Sequence, residues 1–217
     1  MTEKRYTQEA TDSQVSPSSA VLNLIAEPIN PADISSPDTQ DLIDRMLRVA
    51  YGRQGDAKYP TLVGLAAPQI GVSKRAVVIG INAVEGDEQP ELCEFINPEI
   101  VASSGKTEAG REGCFSTSRV CGIVERVTQI TVKAFNRDGD EITHSFEGFP
   151  ARVAQHEIDH LNGIRFPDRI KDDTKLHWVE EEEFGEYRAH WQEWSVLCPR
   201  EKWDSIKSGQ HMQASNT

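Results

Sequence analysis

Long apolar runs are missing from these 217 residues, whose mean hydropathy is −0.52. Stretches such as residues 76–79 fall far short of the roughly 20 apolar residues that a bilayer-spanning helix requires. Cysteine is scarce. Cys93, Cys114, Cys121 and Cys198 are too few for a disulfide scaffold and suit a reducing cytosol. A surplus of basic charge is missing as well: 23 Lys+Arg against 35 Asp+Glu leave a formal net charge of −12. Non-specific binding to nucleic acid or to an anionic membrane rests on Lys/Arg excess, so neither partner is expected. Residues 1–20 lack the basic start and apolar block of a secretory signal, and Glu3, Glu9 and Asp12 are out of place in a transit peptide. The expectation is a cytoplasmic protein.

What is present describes one domain with polar ends. Residues 1–19 are expected to form a disordered tail. Residues 20–205 are expected to form a single catalytic domain that carries an acidic helical segment over about 172–205, and residues 206–217 a flexible tail. Leu42, Ile43, Met46, Leu47 and Ala50 recur at helical spacing after Ser36-Pro37-Asp38, which predicts a helix over 38–53. Residues 75–81 and 92–96 read as strands. Val127, Ile130, Val132 and Ala134 mark a half-buried strand, and Asn136-Arg137-Asp138-Gly139 turns it into a return strand over 141–146. Pro150 is placed to open a helix that runs to about Asn162, with Gly163 as its left-handed stop. The acidic stretch with Trp178, Tyr187, Trp191 and Trp194 reads as one or two helices. Antiparallel strands beside a few segregated helices make an α+β fold.

The sharpest chemical signal is Gln155-His156-Glu157-Ile158-Asp159-His160. Two histidines four apart on a helix project from one face and can share a cation, while Glu157 lies close enough to act on a water beside it. The third ligand decides the reaction, and the pattern alone leaves it open. The protease class with a third histidine needs it at position 166, which is Phe166 and cannot ligate. A second class takes a glutamate about twenty residues on, where Glu180 stands, although residues 180–183 also read as a plain solvated face. The remaining candidate is Cys114, within Glu112-Gly113-Cys114-Phe115-Ser116. Asp159 could orient a ligand imidazole or make a surface contact, and Arg126 and Arg152 could pair with Glu112.

Three segments in order then resemble the peptide deformylases. Gly64-Leu65-Ala66-Ala67-Pro68-Gln69, the Glu112 to Ser116 run and the His156 to His160 run are similar to that family's G-x-G-x-A-A-x-Q, E-G-C-x-S and H-E-x-x-H patterns. The resemblance covers roughly residues 40–170. It implies antiparallel or mixed sheets around a central metal-binding helix. It also implies one divalent ion on Cys114, His156 and His160, with Fe2+ as the working metal and Zn2+, Ni2+ or Co2+ as substitutes. Glu157 becomes the general acid/base, and the Gln69 amide and the Phe115 backbone N–H become donors to the developing oxyanion. Leu62, Val63 and Gly64 become the strand against which a nascent or short N-formylmethionyl peptide is laid, with formate as product.

Departures from the family pattern are equally specific. Leu62 stands at the first glycine, Phe115 replaces a leucine, Thr117-Ser118-Arg119 follows Ser116 where the family runs on through a proline, and Arg165 replaces an apolar residue before Phe166. The acidic C-terminal segment has the wrong charge for docking on the ribosome, so none is expected. Two other functions fit parts of the pattern: a deformylase-like peptide binder without turnover, and a zinc metalloendopeptidase that uses Glu180.

Overall fold

Ala-Val-Val-Ile-Gly, residues Ala76–Gly80 (β2), is buried at every position. Strand side chains alternate between faces, so an unbroken apolar strand needs cover on both sides. Ala76 and Val78 meet Ile43, Met46, Val49 and Ala50 of the first helix, Pro37–Tyr51. Val77 and Ile79 meet Val153, Ala154, Ile158 and Leu161 of a second helix, Phe149–Leu161. The computed structural model describes residues 14–52, 61–85 and 90–210, and in them β2 lies in the sheet β1-β2-β3-β6-β7. Its other strands are Gly64–Ala66 (β1), Leu92–Ser103 (β3), Gln129–Phe135 (β6) and Glu141–Glu147 (β7). A second sheet joins Thr107–Gly113 (β4), Val120–Val127 (β5) and Leu176–Trp178 (β8), and all named strands pair antiparallel.

The two helices start and stop as their sequences dictate. Ser36 Oγ accepts the Thr39 N–H and Pro37 occupies the first turn, as expected of a cap and first helical position. The Phe149–Leu161 helix has Pro150 in its first turn and Gly163 at φ 70° just past its end. It packs on β1, β2 and β7 from one side and on β5 from the other, which places it between the sheets. The irregular course of β3 has its own cause. Register shifts follow Ile96, where Asn97 takes φ 52° and its side-chain amide bonds both the N–H and the carbonyl of Ile29. The side chain thereby stands in for a strand neighbour.

Several expectations need correction. The tail expected to reach residue 19 is docked over its described part: the Val15 N–H donates to the Gln69 carbonyl at 2.9 Å, and Pro17 and Ser18 also contact the domain. Residues 1–13 lie outside the described residues. The segment over 172–205 is not purely helical, because its first part forms β8 on β5. Helices Phe184–His190 and Arg200–Ser208 follow, and the second overruns residue 206, where fraying was expected to begin. Residues 211–217 are outside the described set. Strands β4 and β5 were not foreseen, since β4 reads Thr-Glu-Ala-Gly-Arg-Glu-Gly and shows no apolar alternation. No helix among the described residues is long and apolar enough to cross a membrane.

Gly163 carries a specific burden at the end of the second helix. A Cβ there would lie 2.8 Å from the Asn23 carbonyl oxygen, in a backbone conformation that L side chains avoid. Gly163→Ala is expected to lower stability by about 2 kcal/mol or more. Urea unfolding should show this as a lower midpoint at unchanged slope.

Candidate metal centre

Strand alternation and helical periodicity bring the site together. Glu112 and Cys114 are two apart at the end of β4, so their side chains leave the same face. The intervening Gly113 faces the other way, and a Cβ on it would lie 3.1 Å from Cys121 Sγ. On the Phe149–Leu161 helix, His156 and His160 stand one turn apart with ring centroids 5.0 Å from each other. Cys114 Sγ lies 3.5 Å from His160 Nε2, and the ligand atoms of Cys114, His156 and His160 all fall within 4.8 Å of one another. Glu180, the rival third ligand, is elsewhere. It accepts from Trp178 Nε1 at 2.8 Å and pairs with Arg119, so the metalloendopeptidase ligand set is not formed.

The groups behind the ligands are buried and charged. Glu112 Oε2 lies 2.9 Å from His156 Nδ1 and accepts its N–H, which leaves Nε2 for an ion. The same carboxylate accepts Arg126 Nε and Nη2, each at 2.9 Å, and Arg152 Nη1 at 3.0 Å. Arg126 Nη1 reaches on to Asp159 Oδ2 at 2.6 Å, and Arg169 closes on Asp159 from outside. Asp159 therefore acts at one remove: it holds the arginine that holds Glu112. Burial alone would raise the Glu112 pKa, but the Arg126 guanidinium and the His156 ring outweigh it and keep the carboxyl ionised.

The imidazoles differ in charge. Burial pulls His156 down, yet hydrogen bonds to Cys114 and Glu112 outweigh it and hold the ring protonated while no cation is bound. Burial and the adjacent His156 charge both push His160 down, so it stays neutral and ready to ligate. Glu157 is pushed up to about 7, chiefly by burial, with the His156 charge opposing. Its Oε2 is buried without a protein hydrogen-bond partner. The carboxyl also lies against Gly64, where a Cβ would come within 2.8 Å of Glu157 Cδ and Cγ. Bulk at position 64 would displace this group.

Gln69 is the remaining polar group at the site. Its Oε1 accepts the Ala66 N–H at 2.7 Å, which orients the amide, and its Nε2 faces Cys114 Sγ and Ser116 Oγ, both at 3.4 Å. Phe115 opens the turn after Cys114, with its ring half exposed. Leu62 departs from the family glycine at no conformational cost. Among the described residues only Asn97 and Ser118 combine a side chain with positive φ, and Leu62 packs against the first helix's core. Val63 spends its carbonyl on the Gly80 N–H at 2.8 Å, and Gly64 begins β1, an edge strand. A soft thiolate, two imidazoles and an unpartnered buried carboxylate oxygen form a donor set that fits one divalent cation and a water.

The family profile described as polypeptide deformylase matches residues 14–176. The chain belongs to that family. Similar deformylases include that of Carboxydothermus hydrogenoformans, 46% identical over 149 residues, covering 69% of this chain and 86% of the relative. That of Halothermothrix orenii is 46% identical over 132 residues, covering 61% and 77%. Among solved structures, a class I type b peptide deformylase from Acinetobacter baumannii with Met-Ala-Ser bound has a TM-score of 0.64 and 35% identity, covering 72% of this chain and 96% of that one. A deformylase from Synechococcus elongatus in complex with actinonin has a TM-score of 0.62 and 32% identity, covering 73% and 80%. The fold is thus that of a peptide deformylase, a metal-dependent hydrolase family, and the helix between two sheets carries two of the three candidate metal ligands.

Arg126 is the residue on which the deformylase site most depends for its geometry. Its side chain is 4% exposed and bridges two carboxylates that are each 5% exposed. Arg126→Met would remove the guanidinium that the two share and leave Glu112 to Arg152 and His156, and Asp159 to Arg169, so a loss of about 2–3 kcal/mol is expected, by chemical denaturation of the metal-free protein.

Proposed function

We propose that this chain hydrolyses the N-formyl group of N-formylmethionyl peptides, releasing formate and a peptide with a free methionine amine. The observation that carries the proposal is the convergence of Cys114, His156 and His160 beside a Glu157 oxygen that no protein group occupies. A divalent ion held by those three residues would supply a Lewis acid that lowers the pKa of water and polarises the formyl oxygen. Fe2+ is the proposed working metal, with Zn2+, Ni2+ or Co2+ as substitutes; zinc binds such ligands more tightly than ferrous iron does. The ion as isolated therefore need not be the working one.

The protein's own groups then divide the work. Glu157 takes a proton from the attacking water as the new C–O bond forms, and returns it to the amine nitrogen as the C–N bond breaks. Gly64 gives its carboxyl room, and burial sets its proton affinity close to neutral pH. The Gln69 amide and the Phe115 N–H donate to the oxyanion. Gln69 is pre-oriented by its bond from Ala66, so little reorganisation is needed. Leu62, Val63 and Gly64 lead into the edge strand β1, which supports addition of an extended peptide as one more strand. The proposed compartment for such work on nascent chains is the cytoplasm. Neither a nucleic acid nor ribosome docking through the acidic C-terminal segment is part of the proposal.

The decisive assay is formate release from formyl-Met-Ala-Ser by protein kept anaerobic with Fe2+. Glu157→Gln should reduce kcat by about a hundredfold or more, as loss of a general acid/base does. Wild-type formate release no higher than that of the variant would defeat the hydrolase reading and leave the binding-only alternative.

The Glu157 burial has a second consequence. Because its folded-state pKa is raised from 4.5 to about 7, the folded state binds that proton more tightly than the unfolded state does. The metal-free protein therefore loses stability from this group as pH rises from 4.5 to 7, and the loss is constant above that. With chelator present, Glu157→Gln should unfold at a higher urea concentration than wild type at pH 8, and the gap should close in acid. Equal midpoints at pH 8 would contradict the assigned environment.

A further inference from the structure

Arg165 follows the stop of the Phe149–Leu161 helix and stands where the family carries an apolar residue. It is completely buried. Among the described residues no carboxylate hydrogen-bonds its guanidinium. Nη1 donates to the Ser116 carbonyl at 3.1 Å and to the Pro17 carbonyl, Nη2 donates to Asn23 Oδ1 at 2.8 Å, and Cζ sits 4.7 Å from the Trp203 ring centre. Burying a cation against neutral oxygens and one aromatic face is costly, and an apolar side chain would fill the space at less expense. What the guanidinium does that an apolar group cannot is bind three oxygens at once, of Pro17, Asn23 and Ser116, and of these the Ser116 carbonyl lies beside the site.

That carbonyl belongs to the turn after Cys114. Inside the turn, the Thr117 N–H takes the Cys114 carbonyl and the Ser118 N–H takes the Phe115 carbonyl. The Ser116 carbonyl points outward to Arg165, while its hydroxyl faces Gln69 Nε2. Ser116 thus lies between the two oxyanion donors assigned above, and Arg165 holds it from behind. Pro17 and Asn23 lie in the N-terminal segment, and Trp203 lies in the Arg200–Ser208 helix, which alone of the two is beyond the residues the family profile matches. Trp203 is itself pinned, since its Nε1 donates to Asp168 Oδ1 at 3.1 Å.

We propose that Arg165 is a positioning residue for deformylation: it fixes the turn that carries the Phe115 N–H and braces Gln69, and the C-terminal helix holds it there through Trp203. The inference rests on the deformylase reading. It gives the C-terminal helix an influence on turnover without any contact with substrate.

The test compares wild type, Arg165→Met, Arg165→Lys, Trp203→Leu and the Arg165→Met/Trp203→Leu double variant, each metal-loaded and assayed well below its own melting temperature. Arg165→Met should lower kcat about ten- to a hundredfold while KM on formyl-Met-Ala-Ser moves less than about threefold, because an interaction used in the transition state is loosened. Arg165→Lys should recover part of the loss, since an ammonium can still reach a carbonyl. Trp203→Leu should lower kcat in the same direction, and the double variant should lose no more than Arg165→Met alone. The thiolate-to-cobalt absorption of the Co2+-loaded protein should shift in Arg165→Met, reporting an altered Cys114 turn. A kcat within about twofold of wild type for Arg165→Met, or losses that multiply in the double variant, would overturn the proposal. Should Arg165→Met not fold, Asn23→Ala removes one bond and keeps the charge, and an unchanged kcat there would overturn it equally. If wild type released no formate, the hydrolase reading would fall, and the cobalt band would still decide whether Arg165 sets the turn.

Discussion

Glu112, Arg126 and Asp159 are almost sealed from solvent, and their ion pairs join the end of β4, the end of β5 and the helix Phe149–Leu161. Every other feature of the site depends on this junction. The helix carries two imidazoles, the strand carries the thiol, and no covalent link relates them. Apolar packing sets their separation only loosely because it lacks direction. A bidentate guanidinium–carboxylate pair fixes distance and plane together. Its geometry passes through Glu112 to His156 Nδ1, which settles the nitrogen that turns toward Cys114 and His160. The charges also suit the chemistry, because a Glu112 kept ionised by Arg126 can offset the positive charge that a cation brings nearby.

Against that rigid frame, the Glu157 carboxyl is placed with its needs unmet. Glu157 is buried, one of its oxygens has no protein partner, and Gly64 leaves it only a narrow slot. Such a group destabilises the empty fold. Stability lost at a reactive centre is offset by the apolar cores on both faces of β2, where Val77, Val78 and Ile79 are fully buried. The same economy explains the run of small residues at Gly64, Ala66 and Ala67. They let strand, central helix and Gln69 approach one another closely enough for short polar contacts.

The chain around this family core is built into it. Arg200 donates to the Pro167 and Ile170 carbonyls, Lys207 reaches Asp168, and β8 extends the second sheet through Val120, Cys121 and Gly122. The N-terminal segment meets the core at Gln69 and Arg165. Acidic composition had suggested a solvated helical appendage, and the outer face of residues 181–182 is exposed. The aromatic residues interleaved with the acids tell the other half, since Trp203 and Tyr187 are buried in separate clusters.

Local patterns in the chain were enough to place the first helix, the hairpin at Asn136 and the Phe149–Leu161 helix, because each is written in neighbouring residues: a cap, a period, a glycine stop. The spacing of a ligand pair four apart was also enough to nominate His156, Glu157 and His160, whereas Cys114 as third ligand and Gln69 as a donor came from the resemblance of three ordered segments to the deformylases. Strands β4 and β8 were hidden because hydrogen bonds to β5, not apolar alternation, define them. The same limit covers the site's support. Whether Glu112 meets Arg126 or solvent, whether Asp159 caps a helix or grips an arginine, and whether Arg165 faces water or a buried carbonyl depend on groups 14 to 148 residues apart in the chain. Sequence determined which donors exist and how neighbours are spaced. Only tertiary structure decided their partners, because the energy of a buried charge is set by whatever atoms the rest of the fold brings to its side.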